Sequence, residues 1–259
     1  MPAQIDLGQS DLSKLSVRQF AERFRGEMIP LSNTFSYFCA SVPMSEEDLR
    51  EYLQEPVAAL PPKIAAALPK ISILLVPYLE RANGEKGREK APASDYVSIE
   101  KPPESRLSTS THVQLGEESV LAFALKDQEV AEYHYRFYHL IATVMGEHWS
   151  DETETLYSRL LREELNGEAH GEVDEPSWRL KQGLRRSKTA GGARNFRAYA
   201  RQSFIDTLTL YLHGICCDID VETGPRQLPS RFIRKRLLTL EELFPPPTGY
   251  AVFPEQVET

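Results

Sequence analysis

Cysteine is scarce and poorly placed for a disulfide framework. The chain of 259 residues has three, Cys39, Cys216 and Cys217, an odd count with two adjacent. Disulfide-stapled domains carry even counts at spaced positions, so this usage points to a reducing compartment, and a cytoplasmic location is expected. Long apolar runs are missing too. The richest, from Ile71 to Leu79, is interrupted by Pro77 and falls well short of the roughly 18–20 residues that a membrane-spanning helix needs. No membrane partner is expected. Met1-Pro2-Ala3-Gln4-Ile5-Asp6 has neither the basic head nor the apolar stretch of a secretory signal, so none is expected there. Cys-x-x-Cys and His-Glu-x-x-His are absent, and no internal repeat of useful length is visible. The nearest approach to a Walker A loop, Gly183-Leu184-Arg185-Arg186-Ser187-Lys188-Thr189, is one residue short and lacks the glycine before the lysine. No cofactor or metal is expected, and the balance leans away from an enzyme.

What is present is ordinary in bulk and uneven in order. Apolar residues make up 41% and charged residues 26% of the chain, enough for a real core and too apolar for wholesale disorder. The net charge of -8 hides a segregation. From Ser177 to Gln202 there are eight cations, Arg179, Lys181, Arg185, Arg186, Lys188, Arg194, Arg197 and Arg201, and no acid. A second cluster follows at Arg226, Arg231, Arg234, Lys235 and Arg236. The two clusters hold 13 of the 30 Lys and Arg residues, leaving 17 cations against all 38 acids elsewhere. That reads as a basic pole on an acidic body.

Between Arg194 and Cys217, apolar positions from Phe196 to Ile215 recur at steps of three and four, the helical period. A long buried helix is expected, although 207–212 also alternates with period two. The Gly191-Gly192 pair leading into it, with Arg185, Arg186, Lys188 and Arg194 around it, has the makings of an anion site, because a helix start points free N–H groups and partial positive charge outward. The alternative is a solvated loop.

Elsewhere, Ser16 with Gln19 and Ser45 with the acids after it mark helix starts. Four prolines between Pro56 and Leu79 exclude one long helix there and suggest short helices. Leu31 to Cys39 is an aromatic, β-leaning connector. The stretch 83–94 lacks apolar periodicity and is the expected linker between an N-terminal helical region, 1–82, and an α+β region, 95–259, with the option that the two are one domain. Three short strands are expected at 96–99, 107–115 and 120–125, followed by a helix capped by Asp127 with Val130, Tyr133, His134, Phe137, Ile141, Val144 and Met145 on one face. A helix from Ser150 to Asn166 comes next, then an acidic loop before the basic run. Ser230 is expected to cap a late helix, and Thr239 with Glu242 another. The fold class expected is mainly α (α+β), a multi-helix globular domain with a small antiparallel meander around residues 96–125.

Three functions follow from these features. The first is a nucleic-acid or polyanion binding protein, its contacts made by Arg179, Lys181, Arg185, Arg186, Lys188, Arg194, Arg197, Arg201, Arg231, Arg234, Lys235 and Arg236, with Trp178, Phe196, Tyr199 and Phe232 interleaved as stacking surfaces. The second is a non-catalytic scaffold or complex subunit whose basic pole docks an acidic protein or a second copy of the chain. The third rests on Asp218-Ile219-Asp220-Val221, which resembles the carboxylate half of the nucleotidyltransferase signature. In that family a Gly-Ser pair stands about ten residues upstream, and here the nearest glycine is Gly214, so the part that would hold the triphosphate is missing. A short acidic turn is the simpler account of the pair. His134, alone on an apolar face, reads as a core residue, and Cys216 and Cys217 as packing residues.

Overall fold

A computed structural model of the chain describes residues 15–82, 95–167, 169–186, 192–217 and 227–253. In chain order the helices and strands are α1 (Val17–Arg23), β1 (Ile29–Pro30), β2 (Phe35–Cys39), α2 (Glu46–Leu49), α3 (Glu55–Ala58), α4 (Pro62–Ala67), β3 (Lys70–Val76), β4 (Tyr78–Glu80), β5 (Tyr96–Ser98), β6 (Leu107–Ser108), β7 (Ser110–Leu115), β8 (Glu118–Ala124), α5 (Val130–Glu147), α6 (Asp151–Asn166), α7 (Glu175–Arg186), α8 (Gly192–Cys216) and α9 (Ser230–Leu243). The α+β class is therefore the observed one. The chain divides into two compact units, 1–55 with 68–136, and 56–67 with 137–259.

The first unit is built on a five-stranded sheet in the order β1-β2-β3-β8-β7. Its centre is parallel, β2 beside β3 and β3 beside β8, and its edges are antiparallel. A three-stranded antiparallel sheet, β5-β4-β6, accompanies it. The strands expected around 96–125 are thus present but shared between the two sheets. The stretch Ile71–Val76 becomes the central strand, which the prolines on either side had suggested was helical. A strand buried on both faces has no alternation to announce it: every residue of β3 after Lys70 is buried. One face of the sheet receives α1, whose Val17, Phe20, Ala21 and Phe24 pack with Phe38, Leu74, Val76, Val120 and Ala122. The capping box of Ser16 and Gln19 starts that helix as expected. Near the start of α5, Tyr133 sets its ring edge against Phe123 and Tyr52, both centroids 4.9 Å away. His134 is a core residue, its ring bonded to the carbonyl of Glu51 at 2.8 Å. Asp127 does not cap α5. It has φ of 63° and pairs instead with Lys101 at 2.9 Å.

The residues 83–94 lie outside those described. Strand β3 before them and β8 after them are neighbours in one sheet, so the chain on both sides belongs to the same unit.

The second unit is helical. Helix α8 is its centre, contacted by α6, α7 and α9. The helical period seen in the sequence is the one adopted: from Tyr199 to Ile215 all but five positions of α8 are buried. Helix α5 comes close to α8 at Gly146, where an added Cβ would lie 2.7 Å from Ile205 Cγ1. Trp149 and Tyr157 flank Phe204 at 5.2 and 5.4 Å between centroids. Ser150 caps α6 through the Thr153 N–H, as expected. Helix α9 runs without a break through Thr239, so the second cap expected there does not form, nor does Ser230 cap it with its side chain.

Candidate functional site

The twelve candidate contact residues part company in the fold. Lys181 and Arg236 are fully buried, and this corrects their assignment to an exposed pole. Arg236 lies on α9 among Ile233, Leu237 and Leu240, all buried, and so projects inward. Its Nε and Nη2 grip Glu164, with Nη2 2.6 Å from Oε2, while Nη1 reaches Glu172 Oε2 at 2.8 Å and Ser203 Oγ at 2.9 Å. Lys181 Nζ is 3.1 Å from Glu172 Oε1 and donates to the carbonyl of Gly171 at 2.8 Å. The Tyr199 hydroxyl also donates to Glu172. Tyr157 donates to Thr207 Oγ1 at 2.7 Å and to the Ser203 carbonyl at 3.0 Å.

Two cations and two carboxylates thus form a neutral cluster closed to solvent. Burial alone pushes the Glu172 carboxyl up, but Arg236, Lys181 and the Tyr199 hydroxyl outweigh it and hold the value at about 2. Burial pushes the Lys181 ammonium down against the pull of Glu172, and it raises the Tyr157 phenol to about 12. Every charge is matched inside a wall of side chains, and no member is open to a substrate. The cluster ties α6, α7, α8, α9 and the segment carrying Glu172 together; its role is architectural. Sequence order gave no direct sign of Glu164, Glu172 or Tyr199 as partners, because they are far apart in the chain.

The exposed candidates lie in different places. Arg194, Arg197 and Arg201 share one face of α8, at steps of three and four. They line a surface groove of about 470 Å³ with Gly146, Glu147, Trp149, Asp151, Glu154 and Ala198. Arg197 Nη2 is 2.8 Å from Glu154 Oε2, and Arg201 Nη2 is 4.0 Å from Glu147 Oε1. Among the described residues, no carboxylate pairs with Arg194. This end of α8 stands clear of the core, every residue from Gly192 to Ala198 being exposed except the half-buried Phe196.

Arg179 is exposed on α7 and pairs with Glu175 at 2.9 Å. On α9, Arg231 lies over the Phe232 ring and Arg234 over that of Phe253, at 4.7 and 4.4 Å from the centroids. Lys235 pairs with Glu163 at 2.9 Å and lines a second groove, between α6 and α9, of about 360 Å³. Arg185 and Arg186 fall in the last turn of α7. Lys188, and with it Asp218 and Asp220, lies outside the described residues.

Of the aromatics, Tyr199 is buried in the ion cluster, and Phe196 lies under the guanidinium of Arg162, 4.4 Å away. The aromatic that joins the α8 arginines is Trp149, which the sequence reading did not single out. Cys216 and Cys217 are half-buried at the end of α8, less enclosed than core packing residues. No family model, curated protein or solved structure matches this chain.

Proposed function

We propose that the protein binds a polyanion, most simply a nucleic acid, through the face of α8 that carries Arg194, Arg197 and Arg201. The observation that supports this reading is that Arg194, Arg197 and Arg201 line the same groove as Trp149. Arginine presents a fork of N–H donors that suits phosphate oxygens, and an indole face beside it gives a base a surface to stack on. The exposed first turns of α8 add the partial positive charge of a helix start. The ion pairs already made by Arg197 and Arg201 do not forbid the role, since exposed pairs are usually worth under about 1 kcal/mol. Several phosphates releasing counterions together outweigh that.

A second reading, a complex subunit that docks a protein partner, is favoured by one feature of the groove: Glu147, Asp151 and Glu154 match the three arginines in number. A surface of alternating sign suits another surface of alternating sign. Both readings belong to a binding protein of the cytoplasm.

Fluorescence anisotropy with labelled single-stranded RNA, single-stranded DNA and duplex DNA tests the choice. Micromolar or tighter binding that weakens steeply as salt rises supports the polyanion. Absence of binding to all three at low salt removes it and leaves the protein partner.

A further inference from the structure

The acids facing the α8 arginines come from other parts of the chain, and they stand where an incoming anion would stand. Glu154 is on α6 and Glu147 ends α5, while the arginines they meet are on α8. Glu154 is well covered, its side chain 23% exposed, whereas the Arg197 side chain is 71% exposed. The carboxylate is thus the more enclosed member of the pair, and most of the arginine side chain is exposed.

A carboxylate tethered in this way has a high effective concentration at its partner. An isolated phosphate in solution reaches one guanidinium at a time and competes poorly with it. A strand of linked phosphates is different. Once one phosphate has engaged Arg194, which no described carboxylate holds, the next is delivered to Arg197 and Arg201 by its own tether. Both sides of the competition are then intramolecular, and the strand gains the release of several counterions.

We infer that Glu147 and Glu154 are specificity-determining residues of the proposed site: they screen out single anions and admit linked phosphates. The inference rests on the polyanion reading above. It makes the acids a functional part of the groove rather than neutral decoration of its rim.

The test uses the full chain and the variants Glu154→Gln, Glu147→Gln and Glu22→Gln, the last on the exposed face of α1 in the other unit. Thermal melts confirm that each is folded, and the two groove variants stand in for one another should one fail. Labelled single-stranded RNA is titrated in, then displaced with inorganic phosphate at constant ionic strength. The expected result is that either groove variant binds RNA roughly two- to fivefold more tightly than the natural chain, the range set by the strength of an exposed ion pair. Inorganic phosphate should displace RNA from the groove variants at lower concentration than from the natural chain, and Glu22→Gln should change neither quantity by as much. RNA binding by the natural chain with groove variants no different from Glu22→Gln would overturn the inference and leave the polyanion reading standing. Failure of the natural chain and all variants to bind RNA would remove that reading and the inference with it.

Discussion

Arg236 is the residue on which the interior of the second unit depends most. Replacing it with methionine keeps much of the volume and leaves Glu164 and Glu172 buried beside Lys181 alone. Breaking a buried pair by removing one partner strands the other's charge, at a cost of about 3–5 kcal/mol. Urea unfolding of Arg236→Met should show a loss of that order, and a loss below about 1 kcal/mol would contradict the account. Glu172 gives the cluster a pH signature. Its folded value of about 2 lies below the ordinary 4.5, so its contribution is complete above about pH 5 and is lost as pH falls toward 2. The full contribution is roughly 3 kcal/mol. Asp206, raised chiefly by burial, works with the opposite sign and blunts the total. The stability gap between the natural chain and Glu172→Gln should therefore narrow as pH drops from 6 to 3 in urea titrations, and a constant gap would contradict it. Part of this was legible in the sequence. Arg236 falls in step with Ile233, Leu237 and Leu240, and Glu164 follows Leu160 and Leu161 by four and three residues. Each charge occupies a core position of its helix, and a charge on an apolar face is a charge with a buried partner. The identity of that partner was not legible, because Glu172 precedes Arg236 by 64 residues.

At the scale of elements, periodicity identified the helices and missed the central strand for one physical reason. Helices α5, α6 and α8 each bury some faces and expose others, so their sequences repeat with the turn of the helix. Strand β3 is enclosed by β2 and β8 at its edges and by side chains on both faces, and Ile71-Ser72-Ile73-Leu74-Leu75-Val76 carries no period at all. The strand pairs β4–β5 and β4–β6 were hidden for another reason, since a sheet partner from before residue 83 joins strands after residue 95. One helix contact is set by a single atom. Gly146 lets α5 approach α8, and the Cβ of Gly146→Ala would meet Ile205 at 2.7 Å, closer than carbon atoms pack. The Ile205 side chain must then shift, and overpacking of this kind costs about 1–3 kcal/mol. Thermal unfolding should show a lowered midpoint for Gly146→Ala. A variant as stable as the natural chain would show that the contact is slack.

At the scale of the whole molecule, the charge segregation of the linear sequence is largely undone by folding. The second unit contains 16 Lys and Arg residues and 18 acids, near balance, although the stretch 177–202 within it has no acid. Glu147, Glu154, Glu163, Glu164 and Glu172 come from earlier in the chain to meet the cations. Linear charge patterning counts neighbours in sequence, whereas Coulomb attraction selects neighbours in space. Among the described residues, three arginines of the pole, Arg194, Arg197 and Arg201, line one groove with Trp149, Glu147, Asp151 and Glu154. The most direct test of that remaining claim is the salt dependence of RNA binding, measured for the natural chain and for a variant with Arg194, Arg197 and Arg201 all changed to alanine. Each phosphate contact contributes about 0.7 to the slope of log affinity against log salt for a single strand. The account predicts binding that falls steeply with salt, and a slope shallower by about 2 in the variant if each arginine holds one phosphate. Equal slopes and equal affinities for the two proteins would contradict it.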